Sequence, residues 1–104
     1  MLDFSKKTGF QWDKWNRDKI WKKHGVSTGE AEQVFFNGPF FIGPEKHSSD
    51  KEIRYLSSGA TNLNRKLTII FTIRKNLIRV ISARDMSKKD RREYEKGIKE
   101  NPSF

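Results

Sequence analysis

KLTIIFTIRKNLIRVISARDMSKKDRREYE, residues 66–95, is the stretch whose reading decides the fold. Leu67, Ile69, Phe71 and Ile73 alternate with Thr68, Ile70 and Thr72, the period of two that sends successive side chains to opposite faces of a strand. LIRVISA, residues 77–83, is a second such run, separated from the first only by Arg74, Lys75 and Asn76. That spacing predicts a tight antiparallel hairpin, because a parallel pair needs a far longer crossover. Ile70, Ile78 and Val80 place apolar side chains on both faces, so helices are expected to cover part of each. Ser87 and Asp90 then form a capping box, which predicts a helix to about Glu100, stopped by Asn101 and Pro102. Tyr94 and Ile98, one turn apart, are its expected contacts with the sheet.

Upstream, FQW (10–12) reads as a very short strand. Asp13 is a good N-cap for a helix to His24, with Gly25 as the left-handed residue that ends it. Lys22, Lys23 and His24 fill its last turn, where positive charge suits the helix dipole. STGE (27–30) is another capping box, opening a short helix that buries Ala31, Val34 and Phe35 and ends at NGP (37–39). PFFI (39–42) and EIRYLSS (52–58) are two further strands. The order is short strand, two helices, antiparallel strands and a final helix. This predicts an α+β fold: a small antiparallel sheet with two N-terminal helices and a C-terminal helix. Residues 1–9 read as a lead-in, and 10–101 as one domain.

A chain of 104 residues buries roughly two thirds of its unfolded surface, enough for one modest core. Of Trp12, Trp15 and Trp21, at least two are expected to pack in so small a core; otherwise they could stack bases. Without cysteine there is no disulfide framework and no thiolate zinc site. The longest clean apolar run, LTIIFTI, is too short to span a bilayer, so no membrane-spanning segment is expected, and a membrane is not among the leading partners. MLDFSKKTGF lacks the apolar core of a secretory leader, which points to a cytoplasmic protein.

The charge is lopsided. Residues 1–52 hold nine Lys or Arg against eight Asp or Glu, whereas residues 53–104 hold thirteen against five, within a net charge of +9. Such asymmetry implies a strongly positive face that attracts a polyanion, with nucleic acid the leading candidate and an acidic protein or anionic membrane the alternatives. Lys88, Lys89, Arg91 and Arg92 crowd the start of the last helix. Cations there oppose the dipole and cost about a few tenths of a kcal/mol each, so stability does not explain them. A phosphate at the same place would meet both the cations and the free N–H groups.

Neither a Gly-rich phosphate loop nor an HExxH motif nor clustered carboxylates for a two-metal nuclease occurs. Phosphodiester chemistry would then rest on cations, with His or Tyr moving protons and neither metal nor cofactor involved. Arg79 and Arg84 are candidate phosphate ligands, since a guanidinium offers two parallel donors; either could instead simply pair with a carboxylate. Strict alternation puts Arg79 with Ile81 and Ala83 and Arg84 with Ile78, Val80 and Ser82, on opposite sides unless a bulge intervenes. Arg54 raises the same question in mid-strand. His47, in the polar loop EKHSSD, is a candidate general acid or base or an ordinary surface histidine. His24 is explained by its place at a helix end. Tyr94 is a docking residue, with a phosphate-facing hydroxyl as the second reading.

These residues resemble the BrnT family of type II toxin-antitoxin toxins. The likeness runs through FQWD (10–13), KHGVS (23–27), the stretch ending at Phe35, HSSDKEIR (47–54), IIFT, RVISAR (79–84) and RREYE (91–95). The resemblance implies a RelE-like fold and toxic ribonuclease activity in a bacterial cytoplasm. It also implies a BrnA-like ribbon-helix-helix antitoxin, through which the pair would bind operator DNA. GATNLNRK (59–66) is longer than the turn expected of that family. Two functions follow. One is a metal-independent endoribonuclease, with His47, Arg79, Arg84 and Tyr94 catalytic and Arg54, Lys88, Lys89, Arg91 and Arg92 binding RNA. The other is a non-catalytic module binding nucleic acid or antitoxin through the same cations.

Overall fold

The computed structural model describes residues 9–101; the lead-in expected at 1–9 lies, apart from Gly9, outside them. β1 (Gly9–Gln11) is followed by α1 (Lys14–His24), α2 (Thr28–Val34), β2 (Phe41–Pro44), β3 (Tyr55–Ala60), β4 (Lys66–Arg74), β5 (Leu77–Asp85) and α3 (Lys88–Glu100). The sheet order is β1-β5-β4-β3-β2. β2, β3, β4 and β5 are antiparallel neighbours, whereas β1 pairs with β5 in parallel, Phe10 opposite Ile78. The parallel pair is possible because most of the chain separates its strands. The sheet is therefore mixed.

Local chemistry sets the helix ends. The Asp13 side chain accepts from the Asn16 N–H, and Gly25 closes α1 at φ 62°. Both expected capping boxes form, Ser27 with Glu30 and Ser87 with Asp90. The β4–β5 turn needs two residues at positive φ, Lys75 and Asn76, as a tight hairpin with right-handed strand twist demands. Strand ends shift by a few residues. β3 begins at Tyr55 rather than Glu52, because Glu52 and Ser49 exchange backbone hydrogen bonds and the Arg54 N–H donates to the Ser48 hydroxyl. Gly59 and Ala60 belong to β3 and Lys66 to β4, so the expected long turn shrinks to residues 61–65.

One sheet face carries the core. Leu67, Ile69, Phe71, Ile78, Val80 and Ala83 meet Ile20, Val26, Ala31, Val34 and Phe35. The Phe35 ring stands edge-on to Phe71 and Phe10. Gly59 permits this approach, since a Cβ there would lie 2.7 Å from a Val34 methyl. α3 covers part of the other face, with Tyr94 3% exposed, edge-on to Phe41 and donating its hydroxyl to the Pro39 carbonyl. The expectation for the tryptophans is overturned. Trp12 packs beside the core and donates to Glu32, but Trp15 and Trp21 are 79% and 58% exposed.

α1 seals the flank of β5. The Asn16 side-chain amide donates to the Val80 carbonyl, just beyond the three β5 residues that β1 pairs. A backbone acceptor is thereby satisfied where a bare edge would invite another strand.

Candidate functional site

A bulge in β5 sets the geometry of the candidate site. Ile70 pairs with Ser82 but the next residue, Phe71, pairs with Val80, which leaves Ile81 without an opposite number. One extra residue reverses the alternation beyond it. Ala83 turns into the core instead of away from it, and Arg84 stands opposite Thr68 while Arg79 stands opposite Thr72. Residues 68 and 72 are an even number apart on a regular strand, so both arginines occupy the face that α3 partly covers. The bulge allowed for in the sequence is present, and it corrects the placement that strict alternation gives. Arg54, just ahead of core-facing Tyr55, and Arg74 extend the same face and share Glu52, at 2.8 and 3.0 Å.

Each of these arginines has a carboxylate. Arg79 is paired with Asp13, and Arg84 with Asp90 at 2.8 Å. Asp90 also accepts from the Thr68 hydroxyl and the Ser87 N–H. Burial pushes its carboxyl up, but the bonds from Ser87, Arg84 and Thr68 bring it below the usual range. The Asn16 N–H, then Arg79, likewise lower Asp13. Such pairing consumes little of a guanidinium. Among the described residues Arg84 spends only Nη1, on Asp90 and the Asp85 carbonyl, and Arg79 only Nη2. Among five N–H donors per side chain, the rest stay available to a phosphate.

The cations at the start of α3 differ. Lys88, Lys89, Arg91 and Arg92 are all exposed, and none has a carboxylate partner among the described residues. Arg84 binds the capping residue of the same helix, so the four cations and Arg84 form one patch at the β5–α3 joint.

His47 lies elsewhere. The β2–β3 loop that carries it leaves the sheet beyond the Pro44–Tyr55 pair, at the opposite end from α3's start and nearest to Arg54. Strand spacing and rise put it on the order of 20 Å from Arg84, too far for one phosphate to touch both. Its Nδ1 is 2.8 Å from Glu45 Oε1, and its backbone N–H donates to Glu45 Oε2 at 2.7 Å. The Glu45 side chain is 5% exposed and the His47 ring 64%. Burial pushes the Glu45 carboxyl up, but the bonds from His47 outweigh it and keep the group below its ordinary value. An ionised carboxylate only accepts, so Nδ1 donates to Glu45 and Nε2 belongs to a ring that is largely exposed. Tyr94 has neither property: its hydroxyl is buried and already bonded.

Two contributors escape sequence reading. Arg65 bonds bidentately to Asp85 and also reaches Glu30 and the carbonyls of His24 and Gly25. It thus ties the end of α1 and the cap of α2 to the residue beside Arg84. His24 sits in that junction; burial, then the charges of Lys23 and Arg84, hold its imidazole below the usual range. The KHGVS stretch drew attention to His24, but its neighbours come from residues 60 positions away. Among the described residues no group of three or more His, Cys, Asp or Glu could hold a metal ion, and no helix is long and apolar enough to cross a membrane.

Comparison with known proteins adds an independent finding. Residues 12–90 match the family described as the ribonuclease toxin BrnT of type II toxin-antitoxin systems. None of the curated proteins matches the chain. Among solved structures, the Brucella abortus ribonuclease toxin BrnT superposes with a TM-score of 0.59 at 23% identity, over 77% of this chain and 97% of that one. At that identity the superposition speaks for the fold.

Proposed function

This chain belongs to the BrnT family of type II toxin-antitoxin ribonuclease toxins, and from that premise we propose that it cleaves RNA endonucleolytically, without metal, on the sheet face shared by Arg79 and Arg84. The observation that carries the reading is the bulge at Ile81, which turns both side chains to one side next to the unpaired cations of α3. Lys88, Lys89, Arg91 and Arg92 hold the phosphates at the β5–α3 joint, and the strand crosses the face toward Arg79 and Arg54. These ion pairs are only partly buried, so Asp13, Asp90 and Glu52 orient the guanidiniums while leaving them open to a phosphate.

The chemistry is attack by a ribose 2′-hydroxyl on the adjacent phosphorus, which RNA offers and DNA does not. Nε2 of His47 takes the 2′-OH proton as the P–O2′ bond forms and the P–O5′ bond breaks, the departing 5′-oxygen taking a proton from water, and Glu45 holds the ring in the required tautomer. Guanidinium donors from Arg54 and Arg79 meet the extra negative charge of the transition state. Tyr94 has no part in these steps, because its hydroxyl is spent on Pro39.

The partner is a protein antitoxin of the BrnA-like ribbon-helix-helix type. The toxin acts in the cytoplasm, and operator DNA is reached through the complex. Incubation of the purified chain with single-stranded RNA in EDTA tests the catalytic reading. Cleavage leaving a 2′,3′-cyclic phosphate is expected, whereas intact RNA that is cut only after a divalent metal is added would sink the mechanism.

A second reading has its own observation. Because Arg54, Arg79 and Arg84 are all paired with carboxylates, the cations beside this face that have no carboxylate partner among the described residues are those at the start of α3. A non-catalytic module gripping nucleic acid or an acidic antitoxin segment would need no more than that. Binding with steep salt dependence and no cleavage would favour it.

A further inference from the structure

α1 is exposed in an unexpected way. Its sequence, KWNRDKIWKKH, buries only Ile20. Trp15 and Trp21 stand 79% and 58% in solvent, with no aromatic partner among the described residues. Around them lie Lys14, Lys19, Lys22 and Lys23, none of which has a carboxylate partner among the described residues. The helix's single acid, Asp18, is 3.7 Å from Arg17. A hollow of about 240 Å³ opens beside Trp21, walled by Arg17, Asp18, Val26, Ser27 and Thr28.

A single exposed indole on a surface calls for no explanation. Two on one eleven-residue helix that also carries four lysines without a carboxylate partner among the described residues do call for one. Neither adds to the core, and neither offsets the mutual repulsion of the lysines. The occupant that satisfies both features is a polyanion with flat apolar faces. Single-stranded nucleic acid has this make-up: phosphates answer the ammonium groups, and every base has a face to stack on an indole. An acidic peptide would answer the charges but leave the indoles without a flat partner. Duplex RNA hides its base faces.

We propose that α1 is an accessory single-strand RNA surface on which Trp15 and Trp21 each stack a base while Lys14, Lys19, Lys22 and Lys23 hold the intervening backbone. The indoles are six residues apart, about 9 Å along the axis and a third of a turn around it, so they receive two separate bases. The surface is continuous with the main patch. Arg65 bonds the carbonyls of His24 and Gly25, at the end of α1, and also Asp85 beside Arg84. Lys22 and Lys23 therefore adjoin the β5–α3 joint. The proposal rests on the part of that reading in which the chain binds RNA, and it adds a contact that discriminates single strands from duplexes.

The test is a fluorescence titration of the full chain with a 2′-O-methylated twelve-nucleotide oligo(A), which cannot be cleaved by 2′-hydroxyl attack. Quenching of tryptophan emission is expected. Trp15→Ala and Trp21→Ala should each weaken binding about tenfold, while Trp15→Phe and Trp21→Phe keep most of the affinity because a ring remains. A matching abasic phosphodiester should bind more weakly and lose nothing on Trp→Ala substitution. Unchanged affinity in both alanine variants, or equal binding of the abasic strand, overturns the proposal. So does a result in which the variants keep RNA affinity but escape neutralisation by the antitoxin, for α1 would then be a protein-docking face. Stacking without any cleavage of ordinary RNA would refute the nuclease reading alone and sustain this one.

Discussion

Arg79 and Arg84 are an odd number of residues apart in β5, yet both face the side of the sheet that carries α3, because Ile81 is bulged out of register with β4. Their ladder partners, Thr72 and Thr68, are about 13 Å apart at the usual rise per residue. The two guanidiniums are therefore spaced for separate contacts along one strand of RNA, as the proposed function requires.

Loss of either guanidinium should separate binding from cleavage. Arg79→Gln is expected to lower the cleavage rate about a hundredfold, the typical cost of removing one preorganised donor to a developing negative charge. Arg84→Gln should act more through affinity, since its neighbours are the α3 cations proposed to bind RNA. Single-turnover rates at saturating RNA distinguish the two; equal loss of affinity and nothing else in both variants would contradict the assignment.

His47 and Tyr94 give opposite expectations. His47→Gln should reduce cleavage about a hundredfold or more with the fold intact, as loss of a general base does. Tyr94→Phe should leave cleavage unchanged and cost about 1 kcal/mol of stability through the lost bond to Pro39. Urea denaturation beside an RNA-cleavage assay reads both, and an inactive but stable Tyr94→Phe protein would return that hydroxyl to the chemistry.

Arg65 is expected to be the costliest surface arginine to replace. One guanidinium makes five hydrogen bonds that join α1, α2 and β5. Arg65→Met should destabilise the chain by about 2 kcal/mol, in the range for lost charge-assisted bonds. Arg65→Lys should restore less than half, because a point charge cannot reproduce the fork. A denaturation midpoint equal to the parent's in Arg65→Lys would contradict this role.

Replacing Lys88, Lys89, Arg91 and Arg92 with Gln should weaken RNA binding and flatten its salt dependence by about 0.7 log units per lost phosphate contact. Stability should hold or rise slightly, since these charges oppose the dipole at the start of α3. A fall in melting temperature without any change in salt slope would mean that the patch serves folding instead.

The pH dependence follows from a shared demand: the fold favours the deprotonated form of the perturbed carboxyls and of His24. Asp13, Glu30, Glu45, Glu52, Asp85 and Asp90 are all held below their ordinary values of 3.8 or 4.5. Their contribution is complete above those values and is lost as pH falls through the lower folded-state ones. His24 is lowered from 6.5, so its neutral form is the one the fold favours, and a smaller loss sets in as pH drops below 6.5. Melting temperature should thus decline gently below about pH 6.5 and steeply below about pH 4. His24→Gln should remove the first decline and keep the second. A melting temperature that instead rises on acidification from pH 7 to 5 would contradict the sign for His24, and one that holds steady below pH 4 would contradict that for the carboxylates.

What the sequence determined by itself was the local structure. Asp13, Ser27 with Glu30, Ser87 with Asp90, Gly25 and the Arg74–Asn76 turn act on backbone groups within a few residues, so their spacing specifies the outcome before any tertiary contact forms. The apolar alternation in residues 66–83 likewise specified a hairpin, and the crowding of cations in the second half was there to be counted. Only the tertiary structure decided which cations share a surface. The bulge at Ile81 depends on how β5 registers against β4, and the five bonds of Arg65 depend on three elements meeting. The exposure of Trp15 and Trp21 depends on α1 lying along the flank of β5 instead of sinking into the core. Each of these is settled by packing between residues distant in the chain, for which a one-dimensional pattern carries no register.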